Sequence, residues 1–136
     1  MADLSQTAAD VSLTDVTGNG VSAVVAGEAI TQGQPVYLLS SKYYKADADT
    51  QQAANCKGIA LTPAAADELF VLAADRSTLD VGATLTIGET YVVSSNAGAI
   101  APIGDLTTGN FVTILGTAIT AGKLPLNIIA GTVAKP

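Results

Sequence analysis

Apolar residues in this chain fall in short runs, and turn signals recur roughly every ten residues, the rhythm of a small barrel or sandwich. Residues 21–26 have strand character. After Gly33-Gln34, the run Pro35-Val36-Tyr37-Leu38-Leu39 opens a strand on proline, where the missing N–H costs least. Ser40-Ser41 reads as a turn and Lys42-Tyr43-Tyr44-Lys45 as a short aromatic strand. Residues 46–55 read as a polar loop, and Lys57-Gly58-Ile59-Ala60-Leu61 as the next strand. Residues 62–68 have the one helical look, with Thr62 placed to cap and Pro63 at the first helical position. Residues 69–73 are apolar and extended, and residues 80–86 alternate. Tyr91-Val92-Val93 is a strong strand that ends in the turn Ser94-Ser95-Asn96-Ala97-Gly98, and residues 111–119 and 124–133 complete the set. The pattern predicts a mainly β fold, a small β-barrel or β-clip-like domain.

Residues 1–19 are more polar, with sparse apolar positions at Leu4, Val11, Leu13 and Val16. Residues 10–16 alternate, which suits either an edge strand or an extended arm, and the segment closes at Gly18-Asn19-Gly20, a turn signal. The expected organisation is an N-terminal arm, 1–19, and one β domain, 20–136.

A weak internal repeat runs through the β region. Gly33-Gln34-Pro35-Val36-Tyr37-Leu38-Leu39-Ser40-Ser41 resembles Gly88-Glu89-Thr90-Tyr91-Val92-Val93-Ser94-Ser95 with one residue dropped. After a polar loop come Gly58-Ile59-Ala60-Leu61-Thr62 and Gly116-Thr117-Ala118-Ile119-Thr120, each followed by another apolar strand. This alignment makes Tyr37 and Tyr91 equivalent and suggests a pseudo-symmetric barrel.

Composition narrows the function. Of 136 residues, 49% are apolar and only 13% charged, where about 25% charged is usual. A surface so poor in charge suits partial coverage by neighbouring subunits. The net charge is −6, and the five lysines and one arginine are scattered, which argues against nucleic acid and against an anionic membrane. No apolar run approaches the roughly 20 residues of a membrane helix, and Met1-Ala2-Asp3-Leu4 lacks the basic start of a signal peptide; a soluble chain is expected.

With no histidine and one cysteine, no Ser-His-Asp or Cys-His arrangement, no histidine- or cysteine-built zinc site and no internal disulfide can form. Cys56 reads as a small apolar residue at a strand start. No glycine-rich phosphate loop is present. Asp47 with Asp49 and Asp67 with Glu68 are the candidate carboxylate pairs, and both read as solvated loop or turn positions rather than an acid–base pair or calcium site. Tyr37, Tyr43, Tyr44 and Tyr91 read as core and rim rather than a ligand patch. Adjacent Tyr43 and Tyr44 are expected on opposite faces. The chain is therefore expected not to be an enzyme, with no cofactor and no metal.

Three stretches carry a resemblance. Gly27-Glu28-Ala29-Ile30-Thr31-Gln32-Gly33-Gln34-Pro35-Val36-Tyr37-Leu38, then Tyr43-Tyr44-Lys45-Ala46-Asp47 with Lys57-Gly58-Ile59-Ala60-Leu61, and finally Gly82-Ala83-Thr84-Leu85-Thr86 through Gly88-Glu89-Thr90-Tyr91-Val92-Val93-Ser94 are similar to small capsid decoration, or cement, proteins of tailed bacteriophages. The resemblance implies a non-catalytic protein on the outer surface of the phage head, made in the bacterial cytoplasm. It would bind the major capsid protein, commonly as a trimer, and bridge capsomers. It also implies an arm that touches the shell, which makes Leu4, Val11, Leu13 and Val16 the candidate partner contacts. Another tail or head–tail component, or a non-catalytic ligand- or carbohydrate-binding module, remains the alternative.

Overall fold

A computed structural model describes residues 3–4, 6–7, 10–15, 21–74 and 77–130. The protein is mainly β, with three antiparallel sheets. Strands β2 (Val21–Val25), β3 (Pro35–Leu39), β4 (Lys42–Lys45), β5 (Cys56–Ala60) and β6 (Leu69–Ala74) form one sheet in the order β2-β6-β5-β3-β4. Its two edges meet at a parallel bridge between Ala26 and Tyr43, where Gly27 N–H donates to Tyr43 O. The sheet therefore curls until its edges touch, at one bridge rather than along a closed barrel ladder.

The second half repeats this plan. Strands β7 (Thr78–Val81), β8 (Thr90–Val93), β9 (Ile100–Pro102), β10 (Ile114–Thr117) and β11 (Leu124–Pro125) lie in two smaller sheets, β10-β8-β9 and β1-β7-β11, where β1 is Val11–Asp15. The chain leaving β11 runs beside β10: Asn127 N–H donates to Leu115 O, and Ile114 and Ile129 exchange both backbone bonds. The resulting order, β7-β11-β10-β8-β9, matches β2-β6-β5-β3-β4 strand for strand.

Backbone detail matches as well. Gly33 (φ 88°) donates to Ala60 O, and Ala60 donates to Gln34 O; Gly88 (φ 86°) donates to Ala118 O, and Ala118 donates to Glu89 O. Only glycine takes this left-handed conformation without strain. In each unit a register shift precedes a glycine. Tyr37 faces Cys56 and Val36 faces Gly58; Val92 faces Ile114 and Tyr91 faces Gly116. Val36, not Tyr37, is thus the counterpart of Tyr91. The repeat is real, but the Tyr37–Tyr91 equivalence expected from sequence is off by one residue, because strand pairing rather than side-chain likeness sets the alignment.

The same correspondence runs through the core. Ala26, Ile30, Val36 and Ala60 are buried in a cluster with Phe70 and Leu72, and their counterparts Val81, Leu85, Tyr91 and Ala118 are buried in the main cluster. The main cluster also takes in Ala46, Cys56, Ile59 and Ala73 of the first unit, so the two units share one core. Burying each large side chain there stabilises the fold by about 1.5–3 kcal/mol. Backbone bonds stitch the units together at Ala48 N to Ser94 O, Phe111 N to Ala48 O and Gly98 N to Ala46 O.

The alternating stretch 80–86 is strand only to Val81, and two further local expectations fail. Residues 62–68 form no helix: the Thr62 hydroxyl accepts from Val71 N–H across the loop instead of capping, and Ile30 pairs with Ala64. Asp67 takes φ 70° in a turn there, and the Glu68 carboxylate accepts from Ala65 N–H. The α-helix lies instead in the expected polar loop, as α1 (Gln51–Ala54), capped by the Thr50 hydroxyl accepting from Ala53 N–H. Its Ala53 and Ala54 are buried, and Thr113 donates to Ala54 O.

Candidate interaction surface

The N-terminal segment is the first place to look for a partner contact, and its described residues are built into the chain itself. β1 pairs antiparallel with β7, Val11 opposite Val81 and Leu13 opposite Leu79. Val11 is 6% exposed and belongs to the main core, and Leu4 packs against that core. Leu4 N–H donates to Ile100 O in β9. Asp3 accepts from the Ser94 hydroxyl and from Asn96 Nδ2, and Gln6 Nε2 donates to both Gly33 O and Val81 O. Of the four expected contacts, Leu4 and Val11 therefore serve the protein's own core. Val16 and the Gly18-Asn19-Gly20 turn lie outside the described residues, as does the side chain of Leu13.

The reason is visible in the duplication. In the first unit, β4 reaches β2, and Tyr44 covers Gly27. In the second unit β9 is only three residues long, and the N-terminal segment fills the gap between β9 and β7. There Thr7 O and Val11 cover Gly82, the counterpart of Gly27.

The residues singled out for chemistry are accounted for by structure. Asp47 Oδ1 accepts from Asp49 N–H, and Asn110 Nδ2 donates to Asp49, which ties the loop down. Asp67 pairs with Lys42 in the open, and this hydrogen bond, followed by the Asp67 charge, raises the Lys42 pKa. Cys56 is buried, and its thiol donates to Gly58 O. Among the described residues, no three His, Cys, Asp or Glu side chains gather as metal ligands, and no helix is long and apolar enough to cross a membrane.

The tyrosines take core and rim positions. Tyr43 and Tyr44 point to opposite faces, as expected. Tyr43 meets Phe70 edge-on at 6.1 Å, and Tyr44 lies 5.9 Å from Tyr37. Tyr91 is buried and its hydroxyl accepts from Thr86 N–H. Burial first, then the Asp47 and Glu28 charges, push the Tyr37 hydroxyl above its ordinary pKa.

What the fold leaves over is apolar rather than polar. Ile87 is 67% exposed, Ile119 64% and Leu38 43%, with Leu69 and Ile129 also exposed. Ile87 and Ile119 directly adjoin the paired backbone bonds of Gly88, Glu89 and Ala118, which brings the two stretches of backbone close together at one end of the second unit. The sequence pattern alone does not distinguish these positions, because Leu38 and Ile119 fall inside apolar runs that read as strands. A scan against protein-family models finds no match, and a search of curated proteins finds none either.

Proposed function

We propose that this protein is a structural module of a tailed phage particle, a decoration protein that binds the outer face of the head and bridges neighbouring capsomers. The observation that carries the reading is the set of large aliphatic side chains left exposed on a duplicated β scaffold. Scattered single apolar residues on a surface need no explanation, but two large aliphatic residues exposed on adjoining stretches of backbone, on a surface poor in charge, suit a protein interface. A cement protein requires rigidity and repeated weak contacts, which add up across a shell through multivalency. The low charge and the resemblance to decoration proteins, which runs from about Val21 to Val133, support the same reading.

The major capsid protein is the partner this reading names. Its test is co-sedimentation of the purified protein with expanded, DNA-free heads built from the capsid protein encoded in the same genome. Saturable binding with a fixed ratio to capsid subunits is expected. Absence of binding at saturating protein overturns the reading.

A further inference from the structure

The duplication gives each surface of one unit a counterpart on the other. The pairs Gly58 with Gly116 and Val36 with Tyr91 make Leu61 the counterpart of Ile119, and Val93 that of Leu38. Inside the chain these positions are covered. Leu61 packs against the main core to which Val93 belongs. The turn at residues 31–34 faces the second unit, where the Gln34 side chain covers Gly98 and Gln6 donates to Gly33 O. One end of the first unit is thus seated against the β8–β9 side of the second.

Among the described residues, nothing corresponding covers the matching surfaces at the two outer ends. A side chain added at Gly33 would meet Gln6 and Val11, whereas one added at Gly88 would meet nothing within 4 Å. Where the covered turn carries Gln32, whose amide donates to Leu61 O, the other turn carries the exposed Ile87, and the counterpart of Leu61 is the exposed Ile119. On the first unit, Leu38 is partly exposed where its counterpart Val93 is fully buried.

We propose that a second copy of this chain docks here head to tail. The Ile87–Ile119 tip of one protomer sits against the β3–β4 hairpin of the next, around Leu38, repeating between copies the contact that joins the two units within one chain. The occupant is a copy because the fold already shows these two kinds of surface fitting together, and both unmatched halves carry aliphatic residues. Such a contact uses different patches on the two partners, so it propagates into a ring or an open chain. The inference rests on the duplication and on exposed aliphatic residues that the capsid reading also uses; its test uses no heads, so the two fail separately.

The test is the mass of the full chain by light scattering over a roughly hundredfold range of concentration. The wild type is expected to exceed the 13.6 kDa monomer and to dissociate on dilution. The double variant Ile87→Lys/Ile119→Lys and the single variant Leu38→Lys are each expected to be monomeric with an unchanged circular dichroism spectrum. Mixed, they are expected to form a two-chain species, because each keeps the patch that the other has lost. If a lysine variant does not fold, threonine at the same positions keeps strand propensity and is read in the same way. A wild type that stays monomeric throughout overturns the proposal, as do variants that assemble like the wild type. Monomeric variants whose mixture also stays monomeric overturn the head-to-tail arrangement.

Discussion

Gly58 and Gly116 occupy equivalent places, each facing the carbonyl of a neighbouring strand at a distance that leaves no room for a side chain. A Cβ at Gly58 would overlap Ala73 O, and one at Gly116 would overlap Pro125 O. A backbone carbonyl cannot swing aside as a side-chain tip can, so the strands themselves would have to separate. Gly58→Ala and Gly116→Ala should each cost about 1–3 kcal/mol, the range for overpacking a well-filled core. Gly122→Ala is the control, since nothing lies within 4 Å of its added carbon, and its effect should stay within about 0.5 kcal/mol. Urea midpoints of the three variants check this, and equal midpoints would refute the close approach. These glycines are legible in sequence as isolated glycines inside apolar runs, a pattern that signals a bulge or close backbone approach. What they approach is a strand distant along the chain, which local pattern does not name.

At the level of elements, the N-terminal segment acts as the closing piece of the second unit. It lies between β7 and β9, places Val11 in the core and satisfies the Ile100 carbonyl through Leu4. Val11→Ala should therefore destabilise the protein by about 2 kcal/mol, from lost transfer energy and the cavity left behind, as read from the shift in thermal midpoint. A truncation of residues 1–15 should in addition raise amide exchange along the free edge of β7 while leaving β3 and β5 protected. Unchanged exchange in β7 would show that the segment does not hold that edge. The alternation of residues 10–16 already indicates a strand at an edge; which edge it joins depends on β9 being too short to reach β7. The strand β9 itself is not among the expected elements, because Ile100-Ala101-Pro102 offers only two apolar residues before a proline.

For the molecule as a whole, the repeated units are not independent. Core residues of both units and of β1 form one buried cluster, and loop bonds cross between the halves at Ala46 and Ala48. Neither half can open without exposing the other's apolar surface, so heat should unfold the protein in one cooperative transition. The calorimetric and van't Hoff enthalpies should then agree. Two resolved transitions would show that the units fold separately.

The amino-acid sequence by itself determined the β character, the places of β2, β3, β4, β5, β6 and β8 to within a residue or two, and the existence of a repeat. These depend on local alternation, β-branched runs and glycines, which act over a few neighbouring residues. Only the tertiary structure decided the one-residue offset that pairs Val36 rather than Tyr37 with Tyr91, the displacement of the helix from residues 62–68 to α1, and the use of Leu4 and Val11 inside the chain's own core. It also decided which aliphatic residues stay outside. Each of these depends on backbone groups and apolar faces finding partners dozens of residues away. Thr62 illustrates the reason: its hydroxyl suits a helix cap and an extended loop equally well, and the position of Val71 N–H selects between them.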